Sequence, residues 1–174
     1  YLDKLSKTAM KIGAVNCVTI SKKKKLKGYN TDYHGFKKSI KPLLKDHHKK
    51  ALILGTGGAS KAIAYALRSL KIEYDFVSRT ADEFQYKYEE LDASIFEEYT
   101  IIINTTPVGT HPNVDDCPNL DYSLFTKKHI AYDLIYNPEE TAFLKKAKAQ
   151  GAVTKNGYEM LVLQAEKAWK IWNE

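Results

Sequence analysis

The sequence predicts an α/β fold, an open parallel sheet with helices on both faces. Three observations carry that expectation. From Ala51 onward, short apolar runs alternate with stretches of helical periodicity. The run Ala51-Leu52-Ile53-Leu54 leads straight into Gly55-Thr56-Gly57-Gly58-Ala59-Ser60. Ala62, Ile63, Ala66, Leu67 and Leu70 then recur at the spacing of one helix face. A strand, a tight glycine turn and a helix form the phosphate-binding opening of a Rossmann-like dinucleotide fold. The first glycine permits the turn, the second admits a pyrophosphate, and the helix N-terminus supplies free N–H donors. The third position is Ser60 rather than glycine, and a plain strand–helix turn is the alternative reading of the segment.

Bulk properties agree with a globular domain. The 174 residues are 44% hydrophobic and 28% charged. That length suffices for one full core with part of another. No apolar run reaches membrane-spanning length, so neither a membrane segment nor a secretory leader is expected. Cys17 and Cys117 are the only cysteines, which suits a reducing cytoplasm without a disulfide framework. The net charge of +6 is locally clustered, in Lys22 to Lys25 and in His47-His48-Lys49-Lys50. No basic helix interleaved with aromatics appears, so nucleic acid is not an expected partner. His47 and His48 lack partners at metal-ligand spacing, so no metal is expected.

The elements follow in order. Residues 3–12 read as a helix, with Asp3 as N-cap and Leu5, Ala9 and Ile12 on one face. Residues 14–21 and 26–29 read as strands joined by the lysine turn. Thr31 or Asp32 caps a helix running to about Leu44, which Pro42 ends or kinks. After the glycine-rich unit come a strand at 74–77, a polar helical stretch at 82–91 and a buried strand at 100–103. A loop at 105–109, a strand at 129–134, a helix at 139–149 and a strand at 152–154 follow. A long amphipathic helix bearing Met160, Leu161, Leu163, Ala165, Ala168, Trp169 and Trp172 closes the chain.

The second strand of the dinucleotide unit indicates the cofactor. It ends in Val77-Ser78-Arg79-Thr80, with no acid at 78–80 to take ribose hydroxyls. Arg79 lies 24 residues beyond Gly55, where its planar fork suits a ribose 2′-phosphate. Ser78 and Thr80 add hydroxyls. This favours NADP over NAD, with an ordinary surface arginine as the alternative.

Four further segments complete a pattern. They are Gly13-Ala14-Val15-Asn16; Gly28-Tyr29-Asn30-Thr31-Asp32 with Gly35-Phe36; Asp133-Leu134-Ile135-Tyr136-Asn137-Pro138 with Thr141; and Asn156-Gly157 with Met160-Leu161-Val162 and Gln164. Together with the GTGGAS and SRT segments, they resemble the shikimate dehydrogenases in order and spacing over nearly the whole chain. The resemblance implies reversible NADPH-dependent reduction of 3-dehydroshikimate to shikimate, in aromatic amino-acid biosynthesis. It implies that Asn16 and Asp32 contact substrate hydroxyls, with Asp32 half of a catalytic Lys–Asp pair, and that Tyr136 and Gln164 complete the cradle. Gly55, Thr56, Gly57, Gly58 and Ala59 would hold the pyrophosphate, and Ser78, Arg79 and Thr80 the adenosine phosphate end. Leu134 and Gly157 would face the nicotinamide. Taken singly, Asp32 can cap its helix, Asn16 can satisfy a strand end, Tyr136 can be packing, and Gln164 can face solvent.

The resemblance divides the chain into a substrate-domain remnant at 1–31 and a linking helix at 32–46. An NADP-binding Rossmann-like domain at 47–157 and a C-terminal helix at 158–174 complete the division. Departures matter as well. The family's Ser-x-Ser and V-T-x-P-x-K motifs, the latter with the catalytic lysine, belong upstream of GAVN, and Lys4, Lys7 and Lys11 do not stand in such a motif. Glu159 stands where the family tends to have glycine, Cys17 replaces the usual threonine, and Asp82-Glu83 follow SRT. The expectation is a truncated shikimate dehydrogenase that binds NADP but turns over poorly. A remnant without sheet partners would expose apolar surface and favour a homodimer or self-association. A non-catalytic dinucleotide-binding module, or an NAD-using quinate/shikimate dehydrogenase, are the competing readings.

Overall fold

The computed structural model describes residues 2–174. Tyr1, the first residue of the expected remnant, lies outside them. Two sheets organise the chain. The smaller contains β1 (Lys4–Leu5), β2 (Cys17–Ile20) and β3 (Leu26–Tyr29) in the order β1-β3-β2. The larger is a six-stranded parallel sheet of β4 (Lys50–Leu54), β5 (Glu73–Val77), β6 (Gln85–Tyr86), β7 (Ile101–Asn104), β8 (Ile130–Asp133) and β9 (Val153–Lys155). Its order is β6-β5-β4-β7-β8-β9. The chain therefore runs outward from β4 to one edge, returns to β7, and runs to the other. That reversal is the topological switch point of a doubly wound sheet.

Alternation along the central strands builds a core on each face. Ala51, Ile53, Ile101, Ile103 and Tyr132 point to one side, against Phe36 and Ile40 of α2 (Asp32–Ile40), Ile63 and Leu67 of α3 (Gly58–Ser69), and Met160 of α6 (Tyr158–Asn173). Leu52, Leu54, Ile102 and Ala131 point to the other, against Phe96 of α4 (Ala93–Glu98) and Phe143 and Leu144 of α5 (Ala142–Ala149). The central strands are sealed, which is why they read as unbroken apolar runs. Each fully buried Leu or Ile contributes about 1.5–3 kcal/mol.

Several elements differ from expectation. The first helix, α1, is Lys7–Ile12, and its N-cap is Ser6, whose hydroxyl accepts from Ala9 N at 3.1 Å. The Asp3 carboxylate instead accepts from Leu26 N at 2.8 Å and Lys25 Nζ at 2.9 Å, which draws β1 alongside β3. The three N-terminal strands thus partner one another. Leu5, Val18, Ile20, Trp169 and Trp172 nevertheless remain exposed on this part of the molecule. Helix α2 stops at Ile40, because Pro42 has no N–H to continue it, and residues 41–43 tighten into one 3-10 turn.

The stretch 82–91 is not a helix. Asp82 accepts from Phe84 N at 3.0 Å and Gln85 Nε2 at 2.8 Å, a local turn that competes with helix formation. β6 then pairs with β5, and only 88–90 form a 3-10 turn. Helix α4 was not expected. Asp92 caps it by accepting from Ile95 N at 3.0 Å, and it buries Phe96 alone, too few apolar residues to show a period.

Candidate functional site

The switch point opens into a cleft of about 810 Å³, lined by Gly55–Gly57, Val77–Thr80, Tyr88, Glu89, Thr105–Val108 and Cys117–Asn119. Four strand ends and the start of α3 make it. Gly55 follows β4 with φ +99°, and its N–H is held by Val77 O at 2.8 Å. A Cβ there would lie 2.9 Å from Thr106 Cγ2, so both backbone and space require glycine. At Gly57 and Gly58 a Cβ would meet nothing within 4 Å. Neighbouring protein does not demand those two glycines. The open space before the N-terminus of the 12-residue helix α3 suits close approach of an anion. Ser60 is buried, and its hydroxyl donates to Gly57 O at 2.7 Å, fastening the loop. A small polar residue at the third position of the motif is thereby accounted for.

Across the cleft mouth, Ser78 N bonds Tyr86 O at 2.9 Å, and Ser78 Oγ accepts from Thr80 N at 3.2 Å. That turn presents Arg79 to solvent at the rim. Burial pushes the Tyr88 phenol up, and the Arg79 guanidinium opposes the shift, so these two side chains share a field. Asp82 is tied to its own turn and does not line the cleft, whereas Glu89 does. Tyr88 and Glu89 were missed in the sequence because 82–91 read as a helix. Among the expected loop residues, Thr56 and Gly57 line the cleft, while Gly58 and Ala59 form the first turn of α3.

A second group of side chains gathers where α2 meets α6. Asn16 Nδ2 donates to Asp32 Oδ1 at 2.8 Å and to Thr31 Oγ1 at 3.0 Å. Asn16 Oδ1 accepts from Thr31 N at 2.8 Å. Thr31 Oγ1 in turn donates to Gln164 Oε1 at 3.0 Å. Gly35 permits this meeting, since a Cβ there would lie 2.4 Å from Met160 O. Asp32 is the first residue of α2, and burial raises its carboxyl above the ordinary value while the Asn16 bond holds it down. Thr31 occupies the N-cap position without capping. Its fully buried hydroxyl serves Asn16 and Gln164 instead. The sequence marked Thr31 only as a cap, and no local signal shows a partner 133 residues away.

Leu134 and Gly157 meet where the loop after β8 touches the start of α6. A Cβ on Gly157 would lie 2.0 Å from Leu134 O, and Gly157 N bonds Ile135 O at 3.0 Å. Tyr136 projects from the same loop, half-exposed, and forms no side-chain hydrogen bond among the described residues. It does not join the Asn16–Gln164 cluster. Glu159 pairs with Lys155 on the exposed first turn of α6. Among the described residues, no group of three or more His, Cys, Asp or Glu is placed to hold a metal, and no helix is long and apolar enough to cross a membrane.

No family model matches the chain. Individual relatives do. The chain is 42% identical to a protein named shikimate dehydrogenase (NADP(+)) of Caldanaerobacter subterraneus subsp. tengcongensis, across 99% of this chain and 66% of that one. It is 39% identical to another of that name from Bacillus cereus, across 99% of this chain and 67% of the relative. The crystal structure of shikimate 5-dehydrogenase from Thermus thermophilus with NADP(H) and shikimate superposes with a TM-score of 0.83, at 35% identity, across 98% of this chain and 66% of that one. The chain thus spans about two thirds of the length of these relatives. With such identity spread along nearly all of its residues, the chain belongs to the shikimate dehydrogenase family.

Proposed function

We propose that this chain carries the NADP(H) site and one wall of the substrate site of an enzyme that interconverts 3-dehydroshikimate and shikimate. The observation that carries the reading is the Asn16–Thr31–Asp32–Gln164 cluster. Four polar side chains from distant segments converge, as recognition of a polyol requires. NADP(H), when bound, supplies or accepts the hydride.

The chain's own residues would do the rest. The free N–H groups at the start of α3 would hold the pyrophosphate, and Arg79 at the rim would pair with the 2′-phosphate. Leu134 and Gly157, in close backbone contact, would border the nicotinamide. Asn16 fixes one oxygen of Asp32 and leaves the other to accept from a substrate hydroxyl. Gln164 Oε1 accepts from Thr31, which would leave its amide N–H₂ to donate to a substrate oxygen. Tyr136, unbonded and half-exposed, would close over the ring.

Charge that develops on the ketone oxygen needs a proton donor or cation beside it. Among the described residues Asp32 has no lysine partner, and Lys4, Lys7 and Lys11 are exposed. The 174-residue chain is therefore expected to bind NADP+ and to turn over on the order of 10²–10⁴ times more slowly than a site with that cation. Calorimetric titration with NADP+ and NAD+, beside an assay of shikimate-dependent NADPH formation, tests both parts. Saturable NADP+ binding with feeble turnover is expected, and robust turnover would refute the second part.

A second reading, an NAD-using quinate/shikimate dehydrogenase, is favoured by Glu89 on the cleft lining, where a carboxylate repels a 2′-phosphate. A clear preference for NAD+ in the same titration would select it.

A further inference from the structure

We propose that Asp133 is a positioning residue that couples the two loops beside the switch point, so that the wall of the dinucleotide cleft and the segment bearing Tyr136 adopt one arrangement together. The inference rests on the reading above for what those loops bind, but the coupling itself stands on the bonds that follow.

Asp133 ends β8 and is fully buried. Its Oδ2 accepts from Thr141 Oγ1 at 2.6 Å. Its Oδ1 accepts from Ile135 N at 3.0 Å and from Asn104 Nδ2 at 3.1 Å. Asn104 is its register partner at the end of β7 and is equally buried. Asn104 Oδ1 accepts in turn from Thr106 N at 3.0 Å and Thr106 Oγ1 at 2.6 Å. Thr106 lines the cleft and stands against the bare face of Gly55. One chain of hydrogen bonds thus runs from Ile135, beside Tyr136, through Asp133 and Asn104 to Thr106.

The chemistry of the carboxylate suits coupling. A carboxylate accepts from several donors at once and offers none of its own. Here three donors converge on it from three segments of chain, and no cation is bonded to it among the described residues. Burial pushes this carboxyl up to about 6, and the three hydrogen bonds oppose that shift. A buried carboxyl without a cation is an expensive way to fill space, and an apolar residue would pack β8 at lower cost. What only a multiple acceptor achieves is to fix both loops at one point. Asp133 does not line the cleft, so it acts through Thr106 and Ile135 rather than on a ligand.

Amide hydrogen exchange on the 174-residue chain tests this with Asp133→Asn. The Thr106 and Ile135 N–H groups are each held by a side-chain acceptor, and only Ile135 is bonded to Asp133 itself. Exchange at both is expected to rise at least tenfold relative to Ile53 in β4, which reports opening of the whole sheet. A merely structural role would raise all three rates together. Acceleration at Ile135 with Thr106 unchanged, or no change at either, would overturn the coupling.

If Asp133→Asn does not fold, Thr106→Val removes the hydroxyl's bonds to Asn104 Oδ1 and from Val108 N and keeps the Thr106 N–H bond to Asn104. Faster exchange at Ile135 is then expected, and an unchanged rate would overturn the coupling equally. Titration of the unsubstituted chain with NADP+ is run alongside. Failure to bind would refute the reading of the cleft and leave the exchange data to decide the coupling.

Discussion

The switch-point cleft and the Asn16–Gln164 cluster sit on one chain and are built from different materials. The cleft is mainly backbone. It consists of strand ends, a glycine at positive φ and the start of α3, all following from the order of the sheet. The cluster is side chain. Asn16 precedes β2, Thr31 and Asp32 open α2, and Gln164 lies two turns into α6. The difference teaches that a backbone site is as robust as the sheet beneath it. A side-chain site depends on how two helices approach, and here Gly35 sets that approach while Gly157 seats the start of α6 against Leu134.

The harshest break is Gly157→Ala. Its Cβ would fall 2.0 Å from Leu134 O, against backbone that cannot swing aside, so α6 must shift. A stability loss of about 3 kcal/mol is expected by urea unfolding. Shikimate binding is expected to suffer more than NADP+ binding, because Gln164 rides on α6.

Next is Thr31→Val, which strips a buried hydroxyl from between Asn16 and Gln164. It should cost about 1–3 kcal/mol by the same measurement. The NADP+ dissociation constant should stay within twofold, and equal damage to both sites would erase the distinction between them.

Arg79→Ala acts on the other region. It should weaken NADP+ roughly 10- to 100-fold by calorimetry, the loss of a charge-assisted pair, and leave NAD+ binding and the thermal midpoint unchanged.

The smallest effect is a pH dependence remote from both regions. His48 is buried and bonds Lys128 O at 3.0 Å, and burial lowers its pKa below the ordinary 6.5. The unfolded chain therefore binds the proton more readily. The stability that neutral His48 contributes is complete above pH 6.5 and declines as pH falls below it. Urea midpoints between pH 7.5 and about 5 should fall less steeply for His48→Gln than for the unsubstituted chain. Asp133 titrates in both and cancels in the comparison.

The two regions also differ in how far the sequence discloses them. The cleft was legible because its parts are local. The glycine turn, the strand before it and Arg79 at the next strand end lie within one β–α–β unit. Where local hydrogen bonds compete with periodicity the reading failed, as at Asp82, whose turn led to a strand rather than a helix. Asn16, Asp32 and Gln164 were legible only through the resemblance of their segments to a family, since nothing near them announces their partners. Thr31 shows the limit, for a residue with the signature of a helix cap uses its hydroxyl on a helix far along the chain.

The central claim is that one chain holds two distinct sites, one for a phosphorylated dinucleotide and one for a polyol. A two-dimensional amide spectrum of the chain, titrated first with NADP+ and then with shikimate, tests it most directly. NADP+ should move the resonances of 56–59 and 78–80, and shikimate those of Asn16, Asp32 and the Gln164 side chain. Shikimate shifting the same residues as NADP+, or shifting none, would contradict it.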